Sequence, residues 1–434
     1  MDINEIKRII LDQKEEIEFI FKNEKIVDRE LNISGSLAHP NVVVVTGPRR
    51  SGKSFLSLLS VRDKKFAYIN FDDERLSLKP EELNQVLESF YELYGDLDYI
   101  ILDEIQNVSG WELFVSRLRR TKRVIITGSN SKLLSQELST HLTGRHIDYN
   151  LLPFSFREHL KMKESAVLTG GALSTRQKAE IRREFDIYIQ NGGFPEVFKF
   201  GRPIIKSIYE DIIYKDIILR FKIRKTTSFK ELARVLSAQY SREFTYSKLK
   251  TIVGIKDIHT LKKFVDYLTS AYLFIAVERF SYKLKQQILA PRKIYSVDTG
   301  MIHAMAFRSS EDKGRLYENI AAIELQRKKF YHNNLEIYYW KNSLGEEVDF
   351  CLKSGLKVKE LIQVCYDTSD IDTKRRELKS LLKAGKELRC DSLLVLTDNY
   401  KAQEIHQGKK IHFMPIWQWL LRGSKKFGDM HQNL

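Results

Sequence analysis

A glycine-rich stretch early in the chain has the residue types and spacing of a phosphate-binding loop. It reads Gly47-Pro48-Arg49-Arg50-Ser51-Gly52-Lys53-Ser54 and follows an apolar, β-branched run at 41–45, typical of a buried parallel strand. Phe55 and its neighbours can begin a helix directly after it. In this setting the glycines let backbone amides curl around phosphate oxygens, Lys53 reaches the β and γ phosphates, and Ser54 binds Mg²⁺. A surface turn before an ordinary helix is the weaker interpretation, because residues downstream supply the partners that such a loop needs.

Two adjacent carboxylates supply the second half of this chemistry. Asp103 and Glu104 follow the apolar run at 99–102, which predicts a buried strand. An Asp at a strand end can hold Mg²⁺, and the neighbouring Glu104 can orient the attacking water. Alone, such a pair is more often a helix cap or a surface turn. Ser129 or Asn130, ending the next predicted strand, is a candidate for a contact with the γ-phosphate or the water, although a plain loop role fits that pair nearly as well.

Strands and helices alternate around these residues. Strands are predicted at 41–45, 66–71, 99–104 and 124–130, with helical patterns between them. Such alternation predicts an α/β fold with a parallel sheet whose ligands lie at the carboxyl ends of the strands. Before the first strand, residues 1–32 carry apolar side chains at helical spacing, which predicts a helical lead-in.

Composition limits the class of protein. A chain of 434 residues is expected to hold two to four domains, and its net charge of +15 makes a polyanionic partner plausible. Three cysteines fit a reducing compartment rather than a disulfide framework. The start of the chain is unlike a signal peptide, and no uncharged apolar run approaches bilayer length. We therefore expect a cytoplasmic protein without a membrane partner.

Together the motifs resemble a family of archaeal and bacterial AAA+-type P-loop ATPases that carry a C-terminal nuclease-like domain of unknown function. The resemblance rests on residues 47–54, 102–106, 127–130 and 142–145, in the family's order, and covers essentially the whole chain. It implies ATP and Mg²⁺ as cofactors and a sheet order of 5-1-4-3-2. It also implies four domains, which are an ATPase core at 1–154, a helical lid at 155–225, a winged helix at 226–300 and a nuclease-like domain at 301–434.

The same resemblance assigns roles to single residues. Asp103 and Glu104 match the Walker B acids, and Ser129 or Asn130 matches the sensor-1 residue. Arg145 resembles an arginine finger that completes a neighbour's active site, since a guanidinium can neutralise charge on a transferring phosphoryl group. An ion pair at the start of the fifth strand is an equally good interpretation of Arg145.

The expected lid contains one further candidate. Gly193-Phe194-Pro195 is similar to a lid motif whose proline packs near the adenine, so Pro195 is a candidate for nucleotide contact. The same residues equally satisfy a Gly–Pro stop between two helices.

Residues 226–300 predict three helices followed by a strand hairpin, which is the arrangement of a winged helix. From Arg220 to Tyr295 there are 17 Lys/Arg and 5 Asp/Glu, so most of the excess positive charge lies here. A solvated basic face on a protein-docking domain is the alternative to nucleic-acid binding. The candidate contacts to a nucleic-acid backbone are Lys256, Lys262, Lys263, Lys283 and Lys285.

The last domain resembles the PD-(D/E)XK nuclease core, in which acids from separate elements hold Mg²⁺ and a lysine assists the nucleophile. Glu318 and Asp349 match that pattern. Gln363 stands where an acid is expected and Cys365 replaces the lysine, although Lys374 on the following helix could compensate. We therefore expect a relic site that is inactive as a nuclease.

The sequence thus predicts a Mg²⁺-dependent ATPase whose conformational switch is coupled to nucleic-acid binding through the winged helix. ATP is favoured over GTP only through the resemblance, because no guanine-reading Asn-Lys-x-Asp occurs. Two alternatives stay open, a signalling or defence-type NTPase that acts by protein assembly and an ATP-gated nuclease. The expected partners are ATP, DNA, and a second copy of the chain or another protein.

Overall fold

The structure is a computed structural model that describes residues 1–130, 142–165, 173–305, 312–332 and 334–423. The chain divides into two compact units. The first unit comprises Met1–Phe154, Lys161–Glu164 and Ser270–Tyr272. The second comprises Ser155–Leu160, Ser165–Thr269 and Leu273–Leu434. No helix within the described ranges combines the length and apolar character needed to cross a lipid bilayer.

The first unit is built on a five-stranded sheet in which neighbouring strands are parallel. Its order is β2-β3-β4-β1-β5, which confirms the predicted order of 5-1-4-3-2. All five residues of β1 are buried, as expected for a parallel strand covered on both faces. The strands are β1 (Val42–Thr46), β2 (Phe66–Asn70), β3 (Tyr99–Asp103), β4 (Arg123–Gly128) and β5 (His146–Asn150).

Helices cover the faces of this sheet. The predicted helical lead-in is α1, which buries Ile6, Ile9 and Ile10 on one face and leaves Phe19 exposed on another. Ile6 and Ile10 join the same apolar core as Val42 and Val44 of β1. The helices at this end of the chain are α1 (Ile3–Asn23), α2 (Lys53–Val61), α3 (Leu83–Tyr94) and α4 (Trp111–Leu118).

The remaining helices follow along the chain, and α8 continues into a π-helical stretch at Ile212–Leu219. They are α5 (Phe156–Met162), α6 (Thr175–Asn191), α7 (Val197–Phe200), α8 (Ile204–Asp211), α9 (Thr226–Ala238), α10 (Tyr246–Val253), α11 (Ile258–Ser270), α12 (Leu284–Leu289), α13 (Thr299–Met305), α14 (Lys313–Tyr331), α15 (Ile371–Glu387) and α16 (Ile416–Leu421).

A nine-stranded mixed sheet runs through the second unit in the order β13-β14-β12-β11-β10-β9-β7-β8-β6. Strand β7 pairs in parallel with β9 at Glu278↔Tyr338 and Arg279↔Tyr339, so the sheet is continuous across residue 300. The strands are β6 (Arg242–Phe244), β7 (Phe274–Arg279), β8 (Arg292–Ser296), β9 (Leu335–Lys341), β10 (Glu347–Ser354), β11 (Lys357–Val364), β12 (Leu393–Thr397), β13 (Ala402–His406) and β14 (Lys409–Pro415).

A three-stranded antiparallel ladder in the order β7-β8-β6 forms part of this sheet. The same part of the chain contains helices α9, α10 and α11. The sequence predicts the three helices and two of these strands. It does not predict β6, because three residues are too few to display strand alternation. The predicted basic tip between β7 and β8 contains the short helix α12.

The element Gly192-Gly193-Phe194-Pro195 is fixed by a buried carboxylate. Asp298 accepts hydrogen bonds from the backbone amides of Gly193 (2.6 Å) and Met301 (3.2 Å), and burial raises its pKa to about 6. A Cβ atom at Gly192 would lie 2.0 Å from Asp298 Oδ1, and Gly192 has a φ of +75°. The close approach of Asp298 therefore requires glycine at position 192.

We predict that Gly192→Ala destabilises the second unit by about 2 kcal/mol or more, because it combines backbone strain with a steric clash at a buried carboxylate. Gly254→Ala is the matched control, since Gly254 has a φ of +65° but nothing lies within 4 Å of its Cβ position. Its expected cost is the backbone strain alone, about 1 kcal/mol. Differential scanning calorimetry measures both variants, and equal shifts in Tm would show that the clash is absent.

Candidate nucleotide-binding site

The glycine-rich loop connects the end of β1 to the start of α2. Helix α2 begins at Lys53, directly after Gly52, so the unpaired backbone amides of its first turn point towards the loop. A Cβ atom at Gly47 would lie 2.1 Å from the carbonyl oxygen of Leu151, which leaves no room for any side chain there. The close approach of the Leu151 backbone therefore requires glycine at position 47.

Asp103, at the end of β3, is the centre of a network of hydroxyl groups. Its carboxylate accepts hydrogen bonds from Ser54 Oγ (2.6 Å), Tyr68 Oη (2.7 Å) and Thr127 Oγ1. Its relative exposure is 2%, and Ser54 belongs to the first turn of α2. Parallel pairing brings the carboxyl ends of β1, β3 and β4 to one edge, so the predicted metal ligands Ser54 and Asp103 meet there.

Glu104 is held beside Asp103 by backbone and side-chain contacts. Its φ is +51°, its amide donates to Thr127 Oγ1 (3.0 Å), and its carboxylate accepts from the amide of Ser129 (3.2 Å) and from the Gln106 side chain. The ammonium of Lys53 lies 3.3 Å from Glu104 Oε1. The left-handed backbone turns this side chain towards the loop, and the contacts restrict its position.

The pKa values at this edge of the sheet depend on burial and on the two neighbouring carboxylates. Burial raises the pKa of Asp103 and the charge of Glu104 raises it further, against the hydrogen bonds from Ser54, Thr127 and Tyr68. Burial and the charge of Asp103 also raise the pKa of Tyr68 well above its usual value, so the phenol stays a donor. A hydroxyl and a carboxylate oxygen in contact here are the oxygen ligands that Mg²⁺ prefers, so these residues fit such an ion.

The other loop residues have distinct surroundings. Arg49 pairs with Asp72 at 2.7 Å, while the carbonyl oxygen of Pro48 accepts from Lys53 Nζ at 3.2 Å. Ser51 is fully buried, and Arg50 is partly buried with a φ of +62°. Phe55 packs edge-on against Phe21 of α1, with ring centroids 6.0 Å apart.

Arg29 contacts the backbone of the loop and of the segment beside it. The sequence does not predict this role. Its guanidinium donates to the carbonyl oxygens of Ser51 and Leu152, both at 2.7 Å, and lies over the Phe154 ring. Tyr68 is likewise missing from the predicted site. Neither belongs to a motif, and each reaches the site from an element distant in sequence, so residue spacing carries no signal for them.

Tyr272, which belongs to the first unit, contacts the end of β1. Its hydroxyl lies 2.7 Å from Thr46 Oγ1 and also donates to Asn150 Oδ1. Thr46 Oγ1 donates to the same amide oxygen at 2.9 Å, so the residue preceding Gly47 is tied to a segment more than two hundred residues downstream. Tyr272 has a φ of +57°, a backbone geometry that only a well-defined environment sustains in a bulky residue.

The sensor and finger candidates occupy opposite ends of the sheet. Ser129 and Asn130 are fully buried just after β4, at the edge that carries Asp103. Arg145 is exposed, and its carbonyl oxygen accepts from the amide of Val42 at the amino end of β1. Arg145 is therefore about a strand's length, roughly 15 Å, from the loop of its own chain. Its role in a neighbour's site stays a prediction, and within the described residues it forms no ion pair.

Pro195 lies in the second unit and is partly buried, after the glycines that Asp298 fixes. Its contact with adenine stays a prediction.

The five candidate nucleic-acid contacts are all exposed, and Lys262 Nζ lies 5.5 Å from the centroid of the Tyr246 ring. These five are Lys256, Lys262, Lys263, Lys283 and Lys285.

The structure brings Glu318 and Asp349 together in the second unit, through an ion pair that each forms with Lys293. Lys374, which the sequence offers as a compensating lysine, pairs through its ammonium with Glu404 at 2.7 Å, and its role at this site stays a prediction. Cys365 is buried, and burial raises its pKa to about 11, so it supplies a neutral thiol.

Comparison with known families divides the chain into three segments. Residues 39–160 match a family described as an AAA domain. Residues 182–312 and 313–419 match two domains of unknown function, DUF8612 and DUF4143. The phosphate loop, Asp103 and Glu104 all lie in the AAA segment, so the chain carries an AAA-type P-loop domain.

Relatives extend over the whole chain. The uncharacterized protein MJ1544 of Methanocaldococcus jannaschii is 33% identical over 438 residues, covering 96% of this chain and 95% of its own length. This chain belongs to the same family as MJ1544. An uncharacterized protein of Haemophilus influenzae is 27% identical over 382 residues, covering 83% of this chain and 87% of its own length. Among solved structures, the Walker-type ATPase PABY2304 of Pyrococcus abyssi is 15% identical with a TM-score of 0.43, covering 65% of this chain and 97% of its own.

We predict that Lys53→Ala weakens the binding of a nucleoside triphosphate by about tenfold to a hundredfold, because it removes a charge-assisted contact to the phosphates. Lys64→Ala is the matched control, since Lys64 is exposed beyond the end of α2 and should leave the affinity unchanged. Fluorescence anisotropy of a labelled nucleotide measures both variants. Equal affinities for wild type and Lys53→Ala would remove Lys53 from the binding site.

Proposed function

We propose that this protein is a Mg²⁺-dependent ATPase whose nucleotide state drives a conformational switch. The observation that carries the proposal is the meeting of four side chains at one edge of the parallel sheet. Ser54 contacts Asp103 at 2.6 Å, and Lys53 contacts Glu104 at 3.3 Å. A phosphate cradle, a pair of oxygen ligands and a positioned carboxylate are the parts that hydrolysis of a nucleoside triphosphate requires.

Each of these side chains has a distinct role in the proposal. Ser54 and Asp103 would hold Mg²⁺, which supplies charge neutralisation on the phosphate oxygens when bound. Lys53 exchanges its contact with Glu104 for the β and γ phosphates, which frees the Glu104 carboxylate. Glu104 then accepts a hydrogen bond from the attacking water and orients it, with Ser129 holding its other carboxylate oxygen.

Two further assignments complete the proposed hydrolytic site. We assign Asn130 a contact with the γ-phosphate or the water, and its position after β4, at the edge that carries Asp103, supports this assignment. Arg145 acts on the site of a neighbouring chain, since its exposed position lies at the other end of the sheet from its own loop. The choice of ATP rests on the family resemblance and on the AAA match.

Coupling to nucleic acid is the proposed output of the switch. The chain order of three helices and the three-stranded ladder β7-β8-β6 supports a winged helix, whose third helix would be α11. The five exposed lysines lie on or just before α11 and around α12. Their spacing suits contacts to a phosphate backbone and offers no pattern for reading base edges.

An output through protein assembly is favoured by a different observation. The segment between β7 and β8 exposes four apolar side chains, with Tyr282 at 73%, Leu284 at 68%, Ile288 at 59% and Leu289 at 74%. Several exposed apolar side chains in one short segment are more typical of a protein-binding surface than of a phosphate-binding one. The third candidate, an ATP-gated nuclease, depends on the acids around Lys293.

We predict that Glu104→Gln binds ATP with near wild-type affinity but hydrolyses it at least about 100-fold more slowly, because the amide orients the water poorly. Glu88→Gln, at an exposed position on α3, is the matched control and should turn over normally. Equal mixtures of Glu104→Gln and Arg145→Ala should regain activity, because a mixed assembly contains one site with both groups intact.

The steady-state rate of phosphate release is measured for the wild type, for each single variant and for the mixture. Normal turnover by Glu104→Gln would exclude the proposed role of that carboxylate. Failure of the mixture to regain activity, with both single variants inactive, would exclude an action of Arg145 between subunits.

Two double variants in the segment between β7 and β8 distinguish nucleic-acid binding from protein assembly. Lys283→Glu/Lys285→Glu should weaken duplex DNA binding at least about tenfold and flatten its salt dependence, because phosphate contacts release counterions. Leu284→Ser/Leu289→Ser should leave DNA binding unchanged and disrupt only an assembly. Electrophoretic mobility shifts at two salt concentrations, beside light scattering, measure both effects. Wild-type DNA binding that does not fall with salt would contradict the nucleic-acid output.

A further inference from the structure

Three carboxylates of the second unit converge beside a cavity of about 690 Å³. Glu318 projects from α14, and Glu347 and Asp349 project from the start of β10. We refer to these three residues as the carboxylate cluster. Glu318 and Asp349 are 9% and 7% exposed, so their charges are largely removed from water. A buried cluster of this kind requires a positive counter-charge.

Lys293, on β8, supplies that counter-charge from within the chain. Its ammonium lies 2.8 Å from Glu318 Oε1, 2.6 Å from Glu347 Oε1 and 3.0 Å from Asp349 Oδ1. The Lys293 side chain is only 3% exposed. One ammonium has three donors, and here each of its three carboxylate neighbours lies within hydrogen-bonding distance.

The strand order explains why Lys293 reaches the cluster. Strand β8 pairs with β7, β7 pairs with β9, and β9 pairs with β10, which carries Glu347 and Asp349. Strand alternation places Tyr295 on the same face of β8 as Lys293, and its hydroxyl donates to Glu318 Oε1 at 2.7 Å. The lysine and the acids therefore come from opposite sides of residue 300 and meet inside one sheet.

The oxygens of the carboxylate cluster already have protein donors. Lys293 takes one oxygen of each carboxylate. Glu347 Oε2 pairs with Lys341 at 3.0 Å, and Asp349 Oδ2 accepts from the backbone amide of Val364 at 3.0 Å. Five of the six carboxylate oxygens thus accept from a protein donor, and a divalent ion that bridged the three carboxylates would have to displace the ammonium that already contacts all three.

The third position of the nuclease-like pattern adds no charge. Gln363 donates to Glu377 Oε2 at 2.7 Å and accepts from the amide of Asp349 at 3.3 Å, so it acts as a structural amide. Within the described ranges, no group of three or more His, Cys, Asp and Glu side chains is arranged as a metal site. The residues present therefore do not fit the Mg²⁺ that the nuclease resemblance implies.

We infer that the ammonium of Lys293 is the resident cation of the carboxylate cluster and keeps divalent metal ions out of it. The lysine performs the charge neutralisation that a bound metal performs in a nuclease, but it offers neither an open coordination position nor a metal-bound water. The site consequently contributes to the stability of the second unit and does not cleave phosphodiesters.

The charges around Lys293 agree with this inference. Burial alone would lower the pKa of Lys293, but the surrounding negative groups, Glu318 foremost, raise it well above its usual value. Burial raises the pKa of Glu318 and the neighbouring charge of Asp349 acts in the same direction, whereas Lys293 lowers it. Removing the ammonium would leave adjacent buried carboxylates without a counter-charge, which is the condition under which a metal ion binds.

Titration of the nucleotide-free, full-length protein with Mn²⁺, followed by the electron paramagnetic resonance of the free ion, tests the inference. Wild type and Asp349→Asn should bind the same number of Mn²⁺ equivalents. Lys293→Met should gain one equivalent, which Lys293→Met/Asp349→Asn should lose. Lys374→Met is the matched control, because it removes a lysine that pairs with Glu404 outside the cluster, and it should gain none.

Two results would overturn the inference. The first is a Mn²⁺ equivalent that wild type binds and Asp349→Asn does not. The second is equal binding by folded Lys293→Met and Lys374→Met. Circular dichroism and thermal unfolding establish that each variant is folded, and Mn²⁺ should raise the Tm of Lys293→Met more than that of wild type. If Lys293→Met does not fold, the comparison of wild type with Asp349→Asn decides by itself.

Discussion

Two adjacent negative charges at the end of one buried strand are the constraint on which the proposed activity depends. Asp103 and Glu104 stand at the carboxyl edge of a parallel sheet, where burial and the charge of Glu104 raise the pKa of Asp103. The fold counters this with hydroxyl donors from Ser54, Tyr68 and Thr127 and with the ammonium of Lys53. These contacts stabilise the site before any ligand binds, and those of Ser54 and Lys53 involve the groups that would engage Mg²⁺ and phosphate.

The second unit also holds buried carboxylates close together, but their counter-charge comes from the protein itself. Its carboxylate cluster is neutralised by Lys293, a residue of the same chain, and its oxygens are already taken by protein donors. The two acidic sites thus differ in where their cation comes from. One has a lysine and a hydroxyl that can exchange partners for a ligand, whereas the other is closed by a buried ammonium. The two proposals therefore assign nucleotide chemistry to the first unit and a structural role to the acidic cluster of the second.

The parts of the site that follow from local sequence were predictable. A glycine loop between a β-branched run and a helix, and an Asp-Glu pair at a strand end, are contiguous patterns, so Lys53, Ser54, Asp103 and Glu104 were identified before their geometry was known. Strand order was predictable through the resemblance, and the structure confirms it. The position of Arg145 at the start of β5, opposite the edge that carries the loop, follows from the parallel direction of the strands.

The residues that escaped prediction share one physical property. Arg29, Tyr68, Tyr272 and Lys293 act through contacts with residues far away in sequence, and no local spacing marks them. Lys293 illustrates the point, because as one of many Lys and Arg residues in a basic segment it looks like a surface charge. Only the pairing of β7 with β9 places it among the acids. The contact of Lys374 with Glu404 cannot be predicted from the sequence for the same reason, since the helix position of Lys374 carries no information about Glu404.

The measurement that tests the central claim most directly is a crystal structure of the protein with Mg²⁺, ADP and aluminium fluoride, a mimic of the transferring phosphoryl group. The account predicts that Ser54 and Asp103 contact the metal site, that Lys53 has left Glu104 for the phosphates, and that the Glu104 carboxylate contacts the attacking water. A nucleotide bound away from the 47–54 loop would contradict the account. So would a complex in which Lys53 and Glu104 remain paired while the water contacts neither acid.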